Sequence, residues 1–324
     1  MLLMVVMKNY LITLGYAKHL IIHSTSNYTK PCMGKFSSVQ DVNNGFILDG
    51  ILDDYKAGEL PLAQKHLNKI ENLINPSKSI FIFDRYYNAM ELYARIIEMN
   101  SFFVVRLKKD TYKKERNKIT SNDSPIKLEL TANRLKKFHN EELRDKYSKK
   151  WTIDLRIVTI TLQTGEKEVL LTNLPQEIMT IEDLEYIYNK RWGIETNYNT
   201  LKNRFYMENY SSKKRQGIEQ DVYSKFLIFN IFNYLKLMFN WIIMMDKYFQ
   251  GVYEEYRVDQ ANLIRNMNNN LAFIILSPFE EIRKSKSKLF YHSCMRSPIK
   301  VVNHESTDRI SSCHLKFPIP YAKT

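Results

Sequence analysis

The alternation of apolar and polar positions divides the chain into short strands and amphipathic helices. Phe46–Leu52 reads as a strand followed by a turn at Asp53-Asp54. Across Glu59–Ile74, Leu62, Ala63, His66, Leu67, Ile70 and Leu73 recur at helical spacing, and Asn75-Pro76-Ser77 ends the helix. Ser79-Ile-Phe-Ile-Phe83 and Ser101-Phe-Phe-Val-Val-Arg-Leu107 are apolar runs of the kind buried on both faces of a sheet. Between them, Asn88–Met99 turns Met90, Tyr93, Ala94 and Ile97 inward along a helix. The succession of strand, helix, strand, helix, strand predicts an α/β core with parallel strands.

Beyond Leu107 the pattern changes. Lys108-Lys109, Lys113-Lys114, Lys136-Lys137 and Lys149-Lys150 surround weak helical signals, and then Ile153, Leu155, Ile157, Thr159 and Thr161 alternate as in a strand. Thr164-Gly165-Glu166 turns into a second strand, Glu168–Thr172, so a hairpin is expected as an insertion after the last core strand. Thr180-Ile-Glu-Asp183 carries the residues of a capping box, and the helix it starts is expected to run through Tyr188, Glu195 and Lys202. The most hydrophobic stretch, Phe226–Met245, contains Asn230, Asn233, Lys236 and Asn240, which favours a buried soluble helix over a membrane span.

Composition adds a partner class. Lys and Arg number 48 against 35 Asp and Glu, a formal charge of +13 over 324 residues. Such a surplus suits a polyanion, because basic side chains release counterions from phosphates, although a basic proteome background produces it as well. The three cysteines cannot build a disulfide framework and fit a cytoplasmic location. His292-Ser293-Cys294, His304 and Cys313-His314 lack the spacing of a zinc site.

Two features carry chemistry. Asp84 directly follows an apolar strand, and in parallel α/β sheets ligands gather at the carboxyl ends of strands; an ordinary helix-capping Asp is the competing reading. The second is Tyr188-x2-Arg191-x3-Glu195-x6-Lys202. On a regular helix these four positions fall within an arc of about 60°. A carboxylate between Arg and Lys suits phosphate work, the acid holding a divalent ion and the cations the DNA backbone; a solvated helix face is the alternative.

The spacing Tyr-x2-Arg-x3-Glu-x6-Lys resembles the signature of the DDE transposases named for insertion sequence 4. Tyr55–Glu59, Gln64–Leu67, Phe81–Tyr87, Phe103–Leu107 and Trp192–Glu195 follow the same order as in that family, and the resemblance spans about residues 35–245. It implies a ribonuclease-H-like α/β core (35–245) with an inserted β-rich segment at about 108–175 and a C-terminal helical region, residues 246–324 having no assigned role. It further implies Asp84 and Glu195 as metal-binding catalytic carboxylates, Tyr188, Arg191 and Lys202 as contacts to DNA, and two Mg²⁺ ions, with Mn²⁺ an alternative. The implied partners are double-stranded transposon-end and target DNA and a second copy of the chain in the DNA complex, with no membrane. The implied function is DNA cleavage and strand transfer in transposition. A non-catalytic DNA-binding remnant and a metal-dependent nuclease of the same fold are the alternatives.

The resemblance leaves one carboxylate unmatched. The family's first Asp lies on the first core strand, whereas residues 1–34 are atypical and show no Asp before Asp41. Asp41 and Asp49 fall on the second and third strands of the resemblance and do not inherit that role. A truncated chain is therefore expected, without a recognisable first strand. Leu3–Met7 can be encoded by TTG ATG GTA GTG ATG, and a shifted frame of those bases reads Asp-Gly-Ser-Asp. The expected outcome of sequencing the gene and its upstream DNA is transposase-like coding in another frame; its absence there rules the frameshift out.

Overall fold

The computed structural model describes residues 3–15, 32–162, 165–212 and 214–301, so His304 and Cys313-His314 lie outside the described residues. The chain forms two compact units, Met1–Asn233 and Tyr234–Thr324.

The first unit contains β1 (Leu3–Gly15), β2 (Cys32–Asp41), β3 (Phe46–Asp54), α1 (Glu59–Ile70), β4 (Ser79–Phe83), α2 (Met90–Glu98) and β5 (Phe102–Arg106). Next come α3 (Lys113–Arg116), β6 (Asp123–Glu129), α4 (Ala132–Leu135), α5 (Glu141–Ser148), β7 (Thr152–Thr161) and β8 (Lys167–Thr172). After these follow α6 (Ile181–Lys190), α7 (Gly193–Arg204) and the first part of α8 (Arg215–Phe249). The strands form one eight-stranded sheet in the order β3-β2-β1-β4-β5-β8-β7-β6.

Every residue of β4 is buried. Its alternating side chains serve two cores, as a strand with both faces covered requires. Phe81 and Phe83 join Leu67 and Ile70 of α1 and Leu92, Tyr93 and Ile96 of α2 on one face. Ile80 and Ile82 join Leu184, Ile187 and Tyr188 of α6 and Ile194 of α7 on the other. The result is an α/β sandwich with helices on both sides of the sheet.

Two expectations are corrected. The core is mixed, not parallel: β1 runs parallel to β4 and β4 to β5, while β3 lies antiparallel to β2. A first strand does exist, since β1 pairs with β4 from Leu3↔Ser79 to Val6↔Ile82 and with β2 on its other side. A run of Leu, Met and Val suits a central strand whether or not an Asp follows, and Met7 is buried in the core. The hairpin lies between β5 and α6, where an insertion was expected, and β8 pairs antiparallel with β5 and carries β7 and β6 onto the same sheet. Local alternation cannot reveal which sheet edge a hairpin will extend. A smaller correction concerns α1, which ends at Ile70 and leaves Leu73 exposed.

Buried polar ties fasten the layers. Ser37 Oγ lies 2.8 Å from His66 Nε2, and His66 Nδ1 lies 2.6 Å from Asp49, which pins α1 to β2 and β3. Arg156 of β7 makes a bidentate pair with Asp123 of β6 at 2.7 and 2.6 Å and donates to the Met179 carbonyl at 2.6 Å. That third bond fastens the added strands to the turn that starts α6. Two asparagines of α8 tie it to the edge strand and the turn before it: Asn230 takes the N–H and C=O of Ile47 at 2.8 and 2.9 Å, and Asn233 donates to the Gly45 carbonyl. By length and composition alone α8 could cross a membrane; the partners of these two amides account for its polar positions on the protein's own sheet. Gly50 is required by close approach, since a Cβ there would lie 2.4 Å from the Phe226 ring.

The second unit holds the rest of α8 with β9 (Tyr256–Arg257), α9 (Gln260–Leu276), α10 (Glu280–Met295) and β10 (Ile299–Lys300). Phe239, Ile243, Leu263, Met267 and Phe290 are buried there, and β9 pairs antiparallel with β10. Cys294 is a buried free thiol, its pKa pushed up to about 11 by burial.

The Arg156–Asp123 pair is nearly solvent-free, so removing one partner strands a charge. Arg156→Met alone is expected to lower unfolding stability by about 3–5 kcal/mol in urea titrations, while the double change Arg156→Met/Asp123→Leu recovers most of it. Equal losses in the single and double variants would show that the pair does not couple.

Candidate active site

The site is built where β4 ends. Asp84 continues the even series of Ile80 and Ile82, the face covered by α6 and α7. The Asp84 carboxylate accepts the Tyr86 N–H at 2.8 Å and its carbonyl accepts the Tyr87 N–H at 3.2 Å, so a tight turn fixes the residues after the strand. On the opposite wall, Thr180 accepts from the Asp183 N–H and Asp183 accepts from the Thr180 N–H, the reciprocal cap expected from the sequence.

The single helix expected through Tyr188, Glu195 and Lys202 is two helices. Between α6 and α7 the backbone bonds shorten from four residues to three: Arg191 N–H to Tyr188 C=O, Trp192 to Asn189, Ile194 to Arg191 and Glu195 to Trp192. This is a turn of 3₁₀ geometry, and Gly193 at its end lowers the preference for a continuous α-helix. The tighter turn rotates the later residues relative to the earlier ones and breaks up the single four-residue row.

The structure joins three of the four signature residues. Arg191 is buried at 6% exposure, with its guanidinium 3.4 Å from Glu195, 5.5 Å from the Tyr188 ring centre and 4.5 Å from that of Trp192. Trp192 is half exposed and lies over the arginine, while Ile194, Tyr198 and Leu201 are buried. Lys202 lies at the far end of α7, where it pairs with Glu208 at 3.2 Å. Tyr188 Oη and Arg191 Nε are buried donors with no hydrogen-bond partner among the described residues.

Burial, more than any charge, pushes the Tyr188 phenol up to about 12. The opposing fields of Arg191, Glu168, Arg106 and Asp84 also reach it, so this one hydroxyl senses both walls of the site. Arg106 and Glu168 were not anticipated from the sequence. They form a 2.6 Å ion pair between the end of β5 and the start of β8. Strand polarity alone did not signal it, because the pairing of β5 with β8 was not foreseen. Asn197 of α7 donates to the buried Gln40 of β2 at 3.0 Å, another tie with no sequence signal. Asp41 is occupied by the turn after β2, accepting from Asn43 N–H and Asn44 Nδ2, and Asp49 by His66.

The transposase DDE domain family matches residues 17–231, well over half of the chain and a span that contains all five predicted site residues. The chain belongs to that family. Among solved structures, the piggyBac transposase in a synaptic complex with hairpin DNA is similar over 94% of this chain and 60% of its own, with 10% identity and a TM-score of 0.47. The DDE domain chain thus spans less than two thirds of that transposase's length. No curated protein matches its sequence.

Tyr188 yields a pH prediction. Its raised pKa means that the phenol's contribution to stability is fully present below its ordinary value near 10 and is lost as pH rises through about 12, because the unfolded phenol ionises first. Tyr188→Phe is expected to make the alkaline decline in urea midpoint shallower. At neutral pH it should leave stability unchanged or slightly higher, since a buried hydroxyl without a partner is removed. An alkaline profile identical to that of the parent chain would contradict this.

Proposed function

We propose that this DDE domain binds the duplex ends of an insertion sequence and that its reaction is phosphodiester cleavage and strand transfer. The observation that carries the reading is the Arg191–Glu195 pair beside the Tyr188 ring at the α6–α7 turn, on the helix layer that packs against β4, the strand Asp84 follows. In this reading the phosphate backbone contacts Lys202 at the surface. It also reaches Arg191 and Tyr188 once the Trp192 ring moves aside, exposing two donors that have no other partner. The chain works in the cytoplasm on double-stranded DNA, as a homodimer in the DNA complex.

A divalent ion fits this donor set in part. Mg²⁺ retains several waters and needs only one or two carboxylates beside substrate phosphate, so Asp84 and Glu195 would hold one ion, Mg²⁺ or Mn²⁺. Bound there, it would make water a stronger nucleophile and offset charge on the phosphoryl oxygens. For the second ion of the expected pair, the described residues offer no further carboxylate cluster. No three His, Cys, Asp or Glu residues gather at a metal-binding spacing among the described residues, and Leu3–Gly15, beside β4, contains no Asp or Glu. The protein's own contribution is then to orient the phosphate through Arg191, to hold the guanidinium in place through Glu195, and to hold Asp84 fixed through the Tyr86 N–H.

The test uses a duplex carrying the element's own terminal sequence, taken from the flanking DNA, against a scrambled duplex, with Mg²⁺ or Mn²⁺. The expected outcome is end-preferred binding, with Lys202→Ala weakening affinity for both duplexes and lowering the salt slope by about 1. Nicking at the end should fall to background in Asp84→Ala and in Glu195→Ala, with binding retained. Absence of end preference overturns the reading, and nicking that survives both substitutions overturns the assignment of the carboxylates. Binding without nicking in the parent chain identifies a non-catalytic end-binding domain.

A further inference from the structure

A cavity of about 950 Å³ opens at the carboxyl ends of β4 and β5, immediately beyond Asp84. Its walls come from five segments: Arg85 and Tyr86 after β4, residues 106–110 after β5, the short α3 and its following loop, Ile157 and Thr159 of β7, and the start of β8. The local charge is unbalanced. Arg106 is neutralised by Glu168, and Arg116 spends its guanidinium on the carbonyls of Lys108, Lys109 and Thr111, which shapes the loop. Arg85, Lys108, Lys109, Lys113 and Lys167 line the same cavity, and none has a carboxylate partner among the described residues. Asp110 and Glu166 also line it, but the cations outnumber the carboxylates, and such a surplus around one concavity raises the local concentration of an anion.

An aromatic surface stands among these cations. Tyr86 is 56% exposed, and its backbone is held by the Asp84 carboxylate. Lys108 Nζ sits 4.5 Å from its ring centre and the Arg85 guanidinium carbon 5.5 Å. A single exposed tyrosine is ordinary on a protein surface. A positioned one inside a basic cleft matches the two-part chemistry of single-stranded nucleic-acid sites, in which cations follow the phosphates and a ring takes a base. The volume is that of a ligand-sized cleft, which admits a few unpaired nucleotides and not a duplex.

We propose that this cleft takes up a short unpaired stretch of nucleic acid, with phosphates on Lys108, Lys109 and Lys113 and one base stacked on Tyr86 beside Asp84. The proposal rests on the reading that the chain acts on DNA and adds a site distinct from the Tyr188–Lys202 surface. Lys108 lies over the ring where the base would sit, and moves to the phosphate when the base arrives. The cleft would then hold a strand that has left the duplex next to the carboxylate at the end of β4.

The full chain is titrated with a fluorescent duplex bearing a short oligothymidine overhang and with the same duplex blunt-ended. The overhang should raise affinity; Tyr86→Ala should lose about tenfold for the overhang duplex, the worth of one base–aromatic stack, with blunt binding unchanged. Tyr86→Trp should retain the preference, and Lys108→Ala/Lys109→Ala should reduce it together with the salt slope. Equal affinity for the two duplexes, or indifference to Tyr86→Ala, overturns the cleft while leaving the duplex-end reading intact. Overhang binding without blunt binding supports the cleft and overturns the duplex-end reading, and failure to bind either probe overturns both. Competition by polyglutamate as effective as by oligothymidine overturns the nucleotide assignment in favour of an acidic protein segment.

Discussion

The burial of β4 on both faces is the constraint on which the first unit depends. Four consecutive large side chains, Ile80, Phe81, Ile82 and Phe83, are wholly removed from water. Burying each contributes on the order of 1.5–3 kcal/mol relative to exposure, and it requires helices on both sides. α1 and α2 cover one face, α6 and α7 the other, and β1 and β5 take up the ladder bonds. The strand ends where polarity returns, at Asp84, so the packing that stabilises the centre of the sheet also places a carboxylate at its rim. Ile80, Ile82 and Tyr188 share one core, so the wall that carries Arg191 and Glu195 is positioned by that packing too.

The α6–α7 turn shows how a small backbone change alters chemistry. The shift to three-residue bonds lets Arg191 point inward between two rings and Glu195. An arginine buried with one long ion pair and an unpartnered Nε is costly to hold. Lys202, two turns further on, stays at the surface with Glu208, so the four signature residues divide into a buried trio and an exposed cation. The basic cleft past Asp84 lies on the same rim of the sheet as that trio, because β4 and β5 run in the same direction and both end there.

Local signals were legible wherever a short period or a cap dictates the outcome. The apolar runs at residues 79–83 and 101–107, the inward face of α2 and the Thr180–Asp183 cap all follow from neighbours within one or two turns. What was missed depends on distant pairing. An apolar run at Leu3–Met7 has no local feature to separate a central strand from a leader-like segment, and only pairing with both β2 and β4 decides it. Arg106 and Glu168 look like ordinary strand-end charges until β8 joins β5. Tyr86 acquires meaning from Lys108 beyond the next strand, a contact that no local pattern signals.

By itself the sequence determined the element types, the carboxylate after the central strand, the spacing of Tyr188, Arg191, Glu195 and Lys202, and the surplus of positive charge, because each is encoded in residues close together along the chain. Only the tertiary structure decided the strand order, the direction of β3, the place of β1, the inward turn of Arg191 and the gathering of unneutralised lysines around Tyr86. These depend on hydrogen bonds and packing between segments far apart in the chain, for which periodicity carries no information.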